Sequence, residues 1–156
     1  MSIKRLGLRA VQISALAVAA GLIALGPARA DNPTIPVIVK DTTSPYWQIV
    51  LAGACQAGKD LNVNVPQLGA QSESDINGQI SILENAVAGK PAAIVISPTE
   101  FKALGAPIDE AAKSVPIIGI DSSADSKAFS SFLTTNNETG GKVAADGLAD
   151  AIKAKT

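Results

Sequence analysis

Apolar and polar positions along residues 35–152 switch repeatedly between two spacings. Residues 35–39, Ile-Pro-Val-Ile-Val, form an unbroken β-branched run, the pattern of a strand covered on both faces. Behind it Ser44 stands where a helix cap belongs and Pro45 where the first helical residue belongs. Trp47, Val50, Leu51, Ala54, Gly58 and Leu61 then recur on one face, predicting a helix to about Leu61. A shorter strand follows over 63–68. Ser72 and Asp75 have the offset of a capping box, and Ile76, Ile80, Leu83 and Val87 repeat at helical spacing until Gly89 and Pro91 end the helix. A third strand is expected over 92–96, a loop over 97–100 and a single turn over 101–104. A helix should run from Pro107 to about Ser114. Strands over 116–120 and 128–133 and a helix over 140–152 complete the pattern.

Strands alternating with helices predict an α/β fold, a parallel sheet with helices on both faces in flavodoxin-like layering. In such sheets ligands sit beyond the C-terminal ends of the strands. That rule selects the loops 40–47, 97–100 and 121–123.

The first 30 residues have a different character. Lys4, Arg5 and Arg9 precede an apolar stretch from Val11 to Leu25, followed by Pro27 and the small-residue site Ala28-Arg29-Ala30. This is the layout of a secretory signal, with cleavage expected near Ala30. An uncleaved anchor is the alternative. Of the 156 residues, those beyond Ala30 carry nine lysines, no arginine and all 14 acidic residues, a net charge of −5. Nucleic acid is therefore not expected as a partner. The chain has no histidine and one cysteine, Cys55, read as a buried helical residue. A Ser-His-Asp triad, a Cys-His pair, an imidazole metal site and an internal disulfide are excluded. No cofactor and no metal site are expected.

The only tyrosine and the only tryptophan, Tyr46 and Trp47, stand together in the first selected loop. An aromatic ring can stack on the C–H face of a sugar while Lys40, Asp41, Ser44, Asp121 and Ser122 pair its hydroxyls. Each buried hydroxyl left unpaired costs about 1–3 kcal/mol. Trp47→Ala is expected to weaken such binding far more than it destabilises the fold. Other readings stay open: the aromatic pair packs the first helix on the sheet, Asp121 shapes a turn, Lys40 and Asp41 are solvated, and Ser44 is a cap.

Four stretches in order resemble the periplasmic solute-binding proteins of the ribose- and galactose-binding type, which feed ABC importers. They are SPYWQIVLAGACQAGKDLNV, ESDINGQISILENAVAGKPAAIVISPTE, PIDEAAKSVPIIGIDSS and TTNNETGGKVAADGLADAI. The resemblance implies a type I periplasmic-binding fold. Residues 1–30 would be a signal peptide and 31–134 a first lobe. Residues 135–156 would be the crossing segment and first helix of a second lobe that is mostly absent from this chain. It implies a periplasmic protein, not an enzyme, that captures a sugar or polyol and delivers it to an ABC permease in the inner membrane. The family's stacking positions match Tyr46 and Trp47, its polar residue before proline matches Ser44, the end of its first strand matches Lys40, and its Asp after the fourth strand matches Asp121. Ribose binders commonly carry Arg where this chain has Ser122, which points away from ribose. The usual Asp-Asn near the crossing is Asn136-Asn137 here. Two alternatives from other classes are a small exported hydrolase using Asp41 and Asp121 as acid and base, and a ligand-sensing domain for a receptor.

Overall fold

The computed structural model describes residues 32–155; the expected signal segment and its cleavage site lie outside the described residues. Among the described residues five strands and four helices alternate except between β4 and β5: β1 (Val37–Val39), α1 (Pro45–Leu61), β2 (Gln67–Gly69), α2 (Ile76–Ala88), β3 (Ile94–Ile96), α3 (Gly105–Ala111), β4 (Ile117–Ile120), β5 (Phe129–Leu133) and α4 (Asn137–Lys153). The strands form one parallel sheet in the order β2-β1-β3-β4-β5. The α/β expectation therefore holds, with the order reversing at β1, where α/β sheets open a ligand crevice.

Two apolar layers sandwich the sheet. On one face Ile38, Ile94, Ile96 and Ile117 pack against Leu83 of α2 and Leu104, Ile108 and Ala111 around α3. On the other, Val37, Val39 and the half-buried Val95 meet Trp47 and Leu51 of α1. All three residues of β1 are buried, as a strand covered on both sides requires. Gly58 lets α1 approach the chain leading into β2: a Cβ there would lie 2.7 Å from Val65 Cγ2 and 2.9 Å from the Val63 carbonyl.

Several local expectations change. The strands are shorter than the apolar runs: Pro66 has no N–H to give β1, so beyond it only the Thr34–Asn64 bridge pairs the two strands, and Pro36, whose carbonyl accepts from the Val95 amide, has none to give β3. Asp75, not Ser72, caps α2, accepting from the Gly78 amide. Leu61 is exposed at the end of α1, and Cys55 is only half-buried. α3 ends at Ala111, before Ser114. α4 starts earlier than expected, where Asn136 caps it through the Thr139 amide, and it buries no residue.

Candidate functional site

The strand ends at β1, β3 and β4 deliver three polar residues to one place. Lys40 directly follows β1, Ser97 follows β3 and Asp121 follows β4. Lys40 Nζ lies 2.9 Å from Asp121 Oδ2 and donates to Ser122 Oγ at 2.6 Å. The Ser122 hydroxyl in turn donates to Asp121 Oδ2 at 2.8 Å, and the buried Ser97 hydroxyl reaches the same oxygen at 3.3 Å. Among the described residues none donates to Oδ1, which leaves that oxygen available as an acceptor.

Asp121 takes a left-handed backbone, φ 61°. Asp is one of the few residues that tolerates this conformation. The turn is held on both sides: the Asp121 amide donates to the Leu133 carbonyl at 3.0 Å, and the Thr134 hydroxyl donates to the Asp121 carbonyl at 2.7 Å. Burial alone would push the carboxyl pKa up. The hydrogen bond from Lys40, that from Ser122, the Lys40 charge and the Ser97 contact outweigh burial and hold it below the ordinary carboxylate value.

The aromatic pair stands beside this cluster. Pro45 occupies the first turn of α1 and Ser44 has the extended backbone of a cap, but the Ser44 side chain makes no capping bond. Tyr46 is exposed, and its ring meets Trp47 edge-on, centroids 4.9 Å apart at 81°. Trp47 is 3% exposed and belongs to the α1–sheet core with Val37, Val39 and Leu51. This burial goes against the expectation that Trp47→Ala would weaken binding far more than it destabilises the fold. Lys40 Nζ lies 5.7 Å from the Trp47 ring centroid, within cation–π range. A cleft of about 420 Å³ runs between Tyr46, Trp47 and Val50 of α1 and Asp121, Leu133 and Thr134; Lys40 and Ser122 reach it through their contacts with Asp121 rather than as lining residues.

Asp41 has a different task. Its Oδ1 accepts from the Thr43 hydroxyl and amide and from the Ser44 amide, folding the loop before α1 into a side-chain-closed turn. Those bonds, the Thr43 hydroxyl first, hold its carboxyl below the ordinary value. Of the seven residues singled out from the sequence, Lys40, Tyr46, Trp47, Asp121 and Ser122 come together, whereas Asp41 and Ser44 shape the turn beneath them.

Sequence reasoning missed two supports. Gln79 of α2 is fully buried, donating to the Val39 and Ser97 carbonyls at 3.2 and 2.9 Å and accepting from the Thr99 amide and hydroxyl at 2.9 and 3.0 Å. It ties the end of β1 to the end of β3. Its signal was a polar side chain three residues after Ile76, on the apolar face of α2. Glu73, in the loop before α2, accepts the Trp47 indole N–H at 2.7 Å. Nothing in its spacing announced that contact.

A doubly covered parallel sheet with polar groups gathered at its switch-point end defines a ligand-binding module rather than a structural domain. The chain belongs to the periplasmic binding protein family, whose domain model matches residues 35–156. It is similar to a carbohydrate transporter solute-binding protein from Agrobacterium radiobacter, solved in complex with D-arabinose. That structure is 80% identical, with a TM-score of 0.74 over 81% of this chain and 43% of that one. An arabinose-binding protein from Geobacillus stearothermophilus is 37% identical, with a TM-score of 0.71 over 78% of this chain and 42% of that one. The ribose import binding protein of Bacillus subtilis is 28% identical over 76% of this chain and 39% of its own length. The chain thus spans less than half the length of these relatives.

Proposed function

We propose that this chain forms the first lobe, residues 31–134, and the start of the crossing into a second lobe, residues 135–156, of an exported periplasmic protein. That protein would capture a sugar or polyol for an ABC permease in the inner membrane. Binding is non-covalent: Tyr46 offers its exposed ring for stacking, Asp121 Oδ1 accepts from sugar hydroxyls, and the Lys40 ammonium, with Ser122 accepting one of its protons, supplies a neighbouring donor. The observation that carries the reading is the Asp121 carboxylate. It is turned out on a left-handed backbone at the switch-point end, held ionised by Lys40, and faces the cleft that Tyr46 and Trp47 line. The 80% identity to a protein bound to D-arabinose makes an aldopentose of that type the first ligand to test. The hydrolase alternative fares worse. It needs one carboxyl that stays protonated near neutral pH, and both Asp41 and Asp121 are held below the ordinary value.

The test is a thermal melt of the purified chain with D-arabinose, D-ribose, D-fucose, D-allose and D-tagatose. A ligand at a hundred times its Kd stabilises by about 2.7 kcal/mol. We expect D-arabinose to raise the Tm and Asp121→Ala to abolish the rise. No shift with any sugar, or turnover of a glycoside, would overturn the proposal.

A further inference from the structure

The aromatic pair is braced from the loop between β2 and α2. The Thr42 amide and hydroxyl both donate to the Ala70 carbonyl, at 2.9 and 3.1 Å. Gly69 permits that approach, since a Cβ there would lie 2.9 Å from Val39 Cγ2 and 3.0 Å from Thr42 Cγ2. From the same loop Glu73 takes the Trp47 indole N–H at 2.7 Å. We propose that Glu73 is a positioning residue for the ligand site, fixing the plane of the Trp47 ring and, through it, the Tyr46 ring and the Lys40 ammonium. The inference rests on reading that site as sugar-binding.

Three physical points carry it. The torsion that turns an indole about its Cβ–Cγ bond is broad, so packing and hydrogen bonds, not rotamer wells, must fix the ring plane. The indole has one donor, and burying it unpaired is costly, so the ring turns to wherever its acceptor stands. That acceptor is a carboxylate, which makes a shorter and stronger bond than a neutral oxygen. It also leaves the ring face more electron-rich toward the Lys40 ammonium, 5.7 Å from its centroid. Lys40 in turn pairs with Asp121. A continuous set of contacts thus runs Glu73–Trp47–Lys40–Asp121, with Tyr46 edge-on to Trp47. Glu73 itself is exposed, so its removal takes no packing from the core.

Trp47 is the only tryptophan, so its fluorescence and its indole N–H resonance report this ring alone. Glu73→Ala and Glu73→Gln in the full chain test the assignment, with D-arabinose as the probe. In Glu73→Ala the indole resonance should move away from its hydrogen-bonded position and the Kd rise about tenfold, the equivalent of one charged hydrogen bond, while the Tm falls by no more than the few degrees that one unpaired indole N–H costs. Glu73→Gln keeps an oxygen acceptor and should restore most of both. An unmoved indole resonance in Glu73→Ala, or a moved resonance with unchanged Kd, would overturn the inference. So would a Kd loss matched by a fall in Tm that Glu73→Gln does not relieve. If the wild-type chain binds none of the sugars, the site reading fails on its own. The indole resonance still decides Glu73: movement supports its hold on the ring, and no movement refutes it.

Discussion

Replacing Gln79 by leucine keeps the buried volume and removes only hydrogen bonds. Four are lost: two to the Val39 and Ser97 carbonyls, two from the Thr99 amide and hydroxyl. The Thr99 hydroxyl, on a half-buried residue, can turn to water, and each carbonyl loses only one of its possible partners. The Thr99 amide loses its partner outright, at about 1–3 kcal/mol, and the carbonyls add less. We expect Gln79→Leu to cost about 2–4 kcal/mol, a large share of the roughly 5–15 kcal/mol that keeps a domain folded. For a body of this size that lowers the Tm by about 10 °C. Urea unfolding followed by circular dichroism should show a lower midpoint with an unchanged slope. Gln79→Glu should be worse than leucine at neutral pH, because it places a charge against two carbonyl oxygens in a fully buried site. A leucine variant within about 0.5 kcal/mol of wild type would refute the claim that this carboxamide joins the ends of β1 and β3. A glutamate variant more stable than leucine would refute the electrostatic part.

The aromatic pair should separate by assay. Trp47→Ala should lower stability by about 3–5 kcal/mol because it opens the α1–sheet core, whereas Tyr46→Ala should leave the Tm nearly unchanged and weaken sugar binding; equal Tm losses in the two variants would contradict this. The Lys40–Asp121 pair should be pH-dependent in a defined direction. Because Asp121 is held below its ordinary value, its contribution is complete above the unfolded carboxylate pKa, near 3.8, and is lost as pH falls through the lower folded value. Solvent screening of this half-exposed pair keeps it to about 1 kcal/mol or less. Asn also tolerates the left-handed backbone, so the stability gap between wild type and Asp121→Asn should be widest near pH 6 and close toward pH 2. A gap that does not change with pH would show that the charge is not involved.

The fold was legible because its information is local and periodic. The α1 bounds agree from Pro45 to Leu61, since a proline at the first turn and a one-sided apolar stripe mark both ends. β1 and β3 were legible as β-branched runs, but their lengths were not. Where a ladder stops depends on the missing N–H groups of Pro66, which faces β1, and Pro36, which faces β3, and those neighbours are known only after pairing. The switch-point rule then pointed to the right loops. It could not say which side chains in those loops face the cleft. Asp41 and Asp121 look alike in sequence, yet one spends its oxygen closing a three-residue turn and the other spans 81 residues to Lys40. Glu73 was invisible for the same reason: its partner lies on a helix that precedes it by a strand and two loops.

The register of the strand ends explains how Lys40 reaches Asp121 and where Ser97 enters. The pairings Ile38↔Ile96 and Ile96↔Gly119 bring the ends of β1, β3 and β4 level, with β3 in the middle. Neighbouring strands are about 4.8 Å apart, so the backbones at Lys40 and Asp121 stand roughly two spacings from each other. In that register Pro98 is level with Lys40 and Asp121 and Ser97 stands one residue earlier; the gap needs one long side chain, which Lys40 supplies. Ser97 is short and fully buried, and its hydroxyl donates to the carboxylate that Lys40 reaches. An alanine at 97 would leave the carboxylate one donor poorer. Gln79 fixes the Ser97 carbonyl from below, so the central strand end cannot drift out of level. The polar end of the sheet is thus built across its middle, from β1 over β3 to β4, and the aromatic pair borders it from α1. Lys40 answers to both sides, paired with Asp121 on one and facing the Trp47 ring on the other.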